Sequence, residues 1–232
     1  MTSRPAHQRR SDEVEHTIVQ RIVRGQYPPG SRLPLERDLA AELGVGRPTL
    51  REAIQRLERD GWLTVRKSKG TIINDHWQTG GLPVLPGLVE HGGLSNELII
   101  WLLELRVVLA PAYVAQAVAA HPARVVAVLV EHQSLPDEAD AYAAFDLRWQ
   151  RAISELAPNR LYAMIMRSFG EATASAYVKY FAVRDHRIRS CEFYVALMQA
   201  AMRADAERAD AITRRMMKDS IDCWRARWQE DG

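Results

Sequence analysis

The sequence predicts a mainly α-helical protein in two parts, an amino-terminal winged helix-turn-helix with a small β-hairpin wing and a carboxy-terminal all-helical bundle. Three observations carry that fold class. Between Leu43 and Leu63 the residues Leu50, Ala53, Ile54 and Leu57 recur at helical spacing, so one face is apolar while Arg47, Thr49, Arg51, Gln55, Arg56 and Arg59 occupy the rest. Next, Trp62 to Val65 and Thr71 to Ile73 are rich in β-formers and flank a basic tip, Arg66-Lys67-Ser68-Lys69-Gly70. From Leu94 onward no strand or hairpin signal recurs, and stripes of apolar residues at helical spacing need one another for burial.

Taken in order, residues 1–10 are polar and expected to fray. Ser11 is expected to cap a helix with Asp12, Glu13 and Glu15 in its first turn, a core stripe of Val14, Ile18 and Ile22, and an end at Gly25. Tyr27-Pro28-Pro29-Gly30 turns the chain. A short helix from Glu36 to Leu43 then stops at Gly44, and the turn Gly44-Val45-Gly46 leads into the recognition helix, which is helix-turn-helix order. A helix with guanidinium, amide and hydroxyl groups along one side suits the major groove of DNA.

Asn74 to Gly93 holds five glycines and two prolines and reads as a connector. Its Trp77, Leu82, Val84, Leu85 and Leu88 are too apolar for a free tether, so it is expected to pack, with a short helix near Pro86 to His91. A packed connector can transmit a change where a floppy one cannot. The bundle is expected to begin with a helix striped by Leu98, Leu102, Leu105 and Leu109, followed by helices over about Pro122–Glu131, Glu138–Leu156, Asn159–Phe181, Asp185–Arg203 and Asp205–Gln229. The domain boundaries are therefore set at 1–74 for the winged head, 75–94 for the linker and 95–232 for the helical domain.

At 232 residues the chain accommodates two modest cores. Net charge is only +2, but residues 1–74 hold fourteen Lys/Arg against nine Asp/Glu and residues 75–232 seventeen against twenty, so the positive excess sits on the head and favours an anionic partner there. Cys191 and Cys223 form no Cys-x-x-Cys and are too few for a disulfide framework. No apolar run is expected to span a bilayer and no signal segment follows the basic start, so a cytoplasmic protein with no membrane partner is expected. The nucleophile elbow, the phosphate loop, Gly-x-Gly-x-x-Gly and His-Glu-x-x-His are all missing, which argues against an enzyme and leaves no catalytic residue to assign.

The run Leu33-Pro34-Leu35-Glu36-Arg37-Asp38-Leu39-Ala40, the segment Gly44 to Ile54 and the basic wing resemble the amino-terminal motif of the GntR-type transcriptional regulators. Asp60-Gly61-Trp62-Leu63-Thr64, the pattern from Asn74 through Trp77 and Thr79 to Leu82, and Asp205 to Trp224 extend the similarity to the FadR branch of that family over nearly the whole chain. Three positions depart: Leu35 stands where a capping serine is usual, Gly46 where a hydroxyl residue is usual, and Ser68 where the wing usually has its first glycine.

The resemblance implies a double-stranded DNA operator as partner, read by Arg37, Arg47, Thr49 and Arg51, with Lys67 and Lys69 at the minor groove. It also implies a homodimer and a long-chain acyl-CoA effector, a ligand rather than a cofactor, beside Leu103, Arg106, Arg214, Ser220 and Trp224, with Met217 in place of a glycine. Many relatives carry a metal site in the helical domain. Here Asp146 is followed by Gln150, and the later positions align with Tyr194 and Lys218 or Asp219, so no metal is expected. The seven histidines show no ligand spacing on any helix. The alternatives to acyl-CoA control are a regulator responding to another small carboxylate and an effector-independent DNA-binding protein.

Overall fold

The computed structural model describes residues 6–68, 70–91, 95–169 and 173–230. The chain divides into two compact units, Met1–Gly93 and Leu94–Gly232.

The first unit opens with α1, Ala6–Val23, whose Val14, Ile18, Val19 and Ile22 are buried; the helix packs on α3 and on a later helix over Leu85–His91. Two expectations fail here. Residues 6–10 are helical, and Ser11 does not cap. It lies inside the helix, fully buried, because positions 11, 14, 18 and 22 share one inward face. The next elements are α2 (Glu36–Glu42) and α3 (Arg47–Asp60), joined through Gly44 at φ +65°. Leu35 and Gly46 give no side-chain cap to these helices. In α2, Glu36 and Asp38 in the first turn meet the positive end of the dipole instead. Leu50, Ala53, Ile54 and Leu57 of α3 are buried as the periodicity requires, and Gly61 at φ +94° ends the helix.

The wing is an antiparallel hairpin, β1 (Leu63–Arg66) and β2 (Gly70–Ile73), in the register Leu63 to Ile73 through Arg66 to Gly70. The segment before α2 adds to its other edge. Gly30 N–H donates to Ile73 O at 2.8 Å, Ile73 N–H to Ser31 O at 2.9 Å and Leu33 N–H to Thr71 O at 2.9 Å. Asn74 Nδ2 donates to Gly61 O at 3.0 Å and Thr64 Oγ1 donates to Asn74 Oδ1 at 2.8 Å, fastening the hairpin to the end of α3.

Residues expected as a linker fold back on this unit. Asp75 caps the short α4 (His76–Thr79), and α5 (Leu85–His91) packs on α1 with Leu88, Val89 and His91 buried. Gly87 lies so close that an added Cβ would meet Trp62 Cζ2 at 2.7 Å and Val19 Cγ1 at 2.8 Å. Val84 is buried, but Trp77 is 59 % exposed and does not serve as the packed centre of the connector.

Among its described residues the second unit has helices and connecting turns and no strand. It comprises α6 (Asn96–Ala120), α7 (Pro122–Leu129), a 3-10 turn (Val130–Ser134), α8 (Ala139–Leu156), α9 (Leu161–Phe169), α10 (Ala174–Phe181), α11 (Arg184–Met202) and α12 (Ala206–Glu230). Ser95 caps α6, accepting Leu98 N–H at 3.1 Å. By length and composition α6 is apolar enough to cross a bilayer, contrary to expectation. It packs along α12 and against α7 and α8 as a core helix of the bundle.

Its inward stripe also differs from the leucines expected. Leu98 is buried but Leu105 is exposed, and the deepest positions are Ala110, Tyr113, Val114, Ala117 and Val118. Around them lie Leu129, Phe145, Trp149, Phe181, Tyr194 and Leu197. The single helix expected over Asn159–Phe181 is two, α9 and α10. Phe169 and Phe181 are both buried, yet twelve residues along one straight helix would turn them about 120° apart.

Candidate nucleic-acid interface and ligand cavity

The amphipathic split of α3 decides which cations face outward. Arg47 and Arg51 lie on the exposed side, and Arg51 Nε donates to Glu36 Oε2 of α2 at 2.7 Å. Arg37 on α2 is exposed and paired with Asp38 at 2.9 Å. Thr49 is 6 % exposed, at the border of the inward face, and not on the side that Arg47 and Arg51 present. Arg56 is likewise withdrawn, bonding Asp12 and Glu52 at 2.6 Å each and so tying α3 to α1. Lys67 is exposed at the wing tip, and Lys69 lies outside the described residues. Arg37, Arg47, Arg51 and Lys67 thus remain as exposed cations on the helix-turn-helix and the wing.

The second unit holds a small cavity of about 60 Å³, partly open to solvent, among α6, α8, α10, α11 and α12. Leu103, Arg106, Ser220 and Trp224 all line it, together with Tyr177, Tyr180, Phe193 and Met217. An adjoining apolar lobe of about 50 Å³ reaches Leu102, Met166 and Phe169 and shares Leu103, Arg106 and Tyr177 with the first. Arg214 does not join. It is exposed on α12 and forms a forked pair with Asp210 one turn back, at 3.0 and 3.1 Å.

Arg106 and Asp146 are charged residues in the lining of this cavity. The Arg106 guanidinium stands 3.7 Å from Asp146 and 5.3 Å from the centre of the Tyr177 ring, while its Nε is buried without a hydrogen-bond partner. Burial works against the charge, but Tyr177 and Asp146 outweigh it and hold the guanidinium above its ordinary pKa. Asp146 accepts hydrogen bonds from Trp149 Nε1 at 2.7 Å, Tyr194 OH at 2.7 Å and Gln150 Nε2. Burial pushes the Tyr180 phenol up to about 12, so it remains a neutral hydroxyl 3.5 Å from Ser220 Oγ. Ser220 in turn donates to Met216 O, and Trp224 Nε1 donates to Asn96 Oδ1 at 3.3 Å.

The cluster around Asp146 does not fit a metal ion. Gln150 and Tyr194 turn donors, not lone pairs, toward the carboxylate, and Arg106 already supplies a cation. Lys218 and Asp219 are exposed on α12. Tyr177 and Tyr180 were not singled out from the sequence, although their spacing of three puts them on one helical face.

Comparison with known proteins bears on both regions. Residues 10–73 match the model described as bacterial regulatory proteins, gntR family, and residues 74–230 match the FadR C-terminal domain. The chain belongs to the FadR group of the GntR family. It is a transcription regulator, not an enzyme, and the family's partners are a DNA operator and a small-molecule effector. This FadR-type chain is 35 % identical over 213 residues to the fatty acid metabolism regulator protein of Edwardsiella ictaluri, covering 91 % of this chain and 89 % of the relative. It is 36 % identical over 190 residues to the protein of the same name from Shewanella pealeana, covering 82 % and 80 %. Among solved structures, Lar of Listeria monocytogenes, which controls expression of the agr system, shares the fold with a TM-score of 0.64 at 16 % identity over 97 % of this chain and 99 % of that one.

Proposed function

We propose that this FadR-type regulator is a cytoplasmic homodimer that controls genes of fatty-acid metabolism and is released from its operator by long-chain acyl-CoA. In this reading residues 1–74 form the head that binds DNA, 75–94 the linker and 95–232 the effector and dimerisation domain. Arg47 and Arg51 read the major groove, Arg37 holds a phosphate, and Lys67 and Lys69 reach the minor groove.

The observation that carries the effector assignment is the two-lobed cavity, in which apolar walls meet a buried arginine at Leu103, Arg106 and Tyr177. An acyl chain suits the apolar walls of the lobes, which open to admit it, with each buried CH₂ contributing roughly 0.8 kcal/mol before losses. A carbonyl or carboxylate oxygen suits the unpartnered Arg106 Nε. The names of the curated relatives support fatty-acid metabolism as the controlled process. A second reading, a smaller carboxylate as effector, is favoured by that same buried arginine.

Isothermal titration of the full chain with acyl-CoAs of increasing length, against short organic acids, separates the two. Affinity rising with chain length supports the acyl-CoA reading. Affinity for short carboxylates alone supports the second, and binding of neither refutes both while leaving the DNA-binding assignment standing.

A further inference from the structure

His16 of α1 and Glu90 and His91 of α5 converge within the first unit, with ligand atoms that all lie within 4.8 Å of one another. His16 Nδ1 is 3.5 Å from Glu90 Oε1, and His91 Nε2 is 3.9 Å from Glu90 Oε2. The two imidazoles meet edge to face, with centroids 4.1 Å apart. Two metal–ligand bonds of ~2.1 Å opened to a tetrahedral angle separate their donors by roughly 3.4 Å, so these gaps are close to those of a three-ligand set. An edge-to-face ring pair alone would explain the two histidines, but not the carboxylate turned toward both.

We infer that His16, Glu90 and His91 form a binding site for a divalent transition metal of the zinc type. Two imidazoles and one carboxylate are the donors such an ion takes, with a fourth position left to water. His16 and Glu90 are half exposed, at the rim of an open cleft lined also by Asp12, Glu15, Arg56 and Trp62, which provides an entry path. His91 is buried and anchors the floor. The expectation of no metal came from the ligands lost at the Asp146 position of the helical domain and from the absence of histidine ligand spacing within single helices. Here one ligand comes from α1 and two from α5, so a bound ion would staple α5 to α1. This site is independent of the Asp146 cluster and of any effector.

The test uses the untagged full chain, stripped with chelator and dialysed against Zn²⁺, with bound metal measured by elemental analysis and stability by thermal melting. We expect one Zn²⁺ per chain and a melting temperature that rises with Zn²⁺ concentration. Because His16 and Glu90 are exposed, His16→Ala with Glu90→Gln keeps the fold. Losing two ligands should weaken binding by at least the ~10- to 100-fold typical of losing an outer-shell partner, and abolish the melting shift. A Cys191→Ser, Cys223→Ser variant should bind as the unaltered chain does. Absence of stoichiometric Zn²⁺, unchanged affinity in the His16/Glu90 variant, or loss of binding in the cysteine variant would each overturn the site.

Discussion

Arg47 and Arg51 leave the same face of α3 in different company, since Arg51 is held by Glu36 whereas no ion pair is seen at Arg47 among the described residues. An exposed pair such as Arg51–Glu36 is worth only ~0–1 kcal/mol, so a phosphate or base edge displaces the carboxylate at little loss. Arg47→Ala is expected to weaken a cognate operator by ~1 to 3 kcal/mol and flatten discrimination between sequences, measured by titration against specific and scrambled duplexes. Lys67→Ala should weaken all duplexes alike and lower the salt slope by about one. In the bundle, Asp146→Ala strands the donors of Trp149 and Tyr194 and removes the counter-charge of Arg106. Urea denaturation should register a loss of ~3 to 5 kcal/mol. The residue types on α3 were legible from charge and helical spacing and Arg214 through resemblance, but the direction of Thr49 and of Arg214 was not. Thr49 sits at the edge of a helical face, where a small rotation decides between water and core, and Arg214 is drawn aside by Asp210 four residues earlier. Arg106 was legible only through resemblance, because its partner Asp146 lies forty positions away on another helix.

Among the elements, α2, α3 and the hairpin follow from local signals, apolar periodicity, a glycine at each helix end and β-formers around a basic tip. The division of α9 from α10 and the inward stripe of α6 depend on which neighbours surround each turn, and no local pattern encodes that. The same holds for α5, whose fit depends on a glycine meeting residues far away in sequence. Gly87→Ala adds a methyl group where Trp62 and Val19 already stand, so overpacking is expected to destabilise the first unit by ~1 to 3 kcal/mol. Its chemical denaturation midpoint should fall. An unchanged midpoint would mean that α5 does not hold this position against α1.

For the molecule as a whole, an effector can shift the DNA-bound population only through different affinities for two conformations. Linkage then makes the effect mutual: operator DNA should weaken acyl-CoA binding by the factor by which acyl-CoA weakens operator binding, checked by titrating each ligand in the presence of the other. Trp224→Ala is expected to blunt release while leaving operator affinity without effector nearly unchanged, because Trp224 lines the cavity and lies outside the first unit. A two-stranded wing would ordinarily invite strand addition by other chains, since each free edge offers unpaired backbone groups. Here residues 30–33 bond along the outer side of β2, and Glu58 accepts the Val65 N–H of β1 at 2.7 Å. Heads crowded onto neighbouring DNA sites therefore have little exposed backbone by which to polymerise, so the hairpin can stay short and strongly basic without becoming a seed for aggregation.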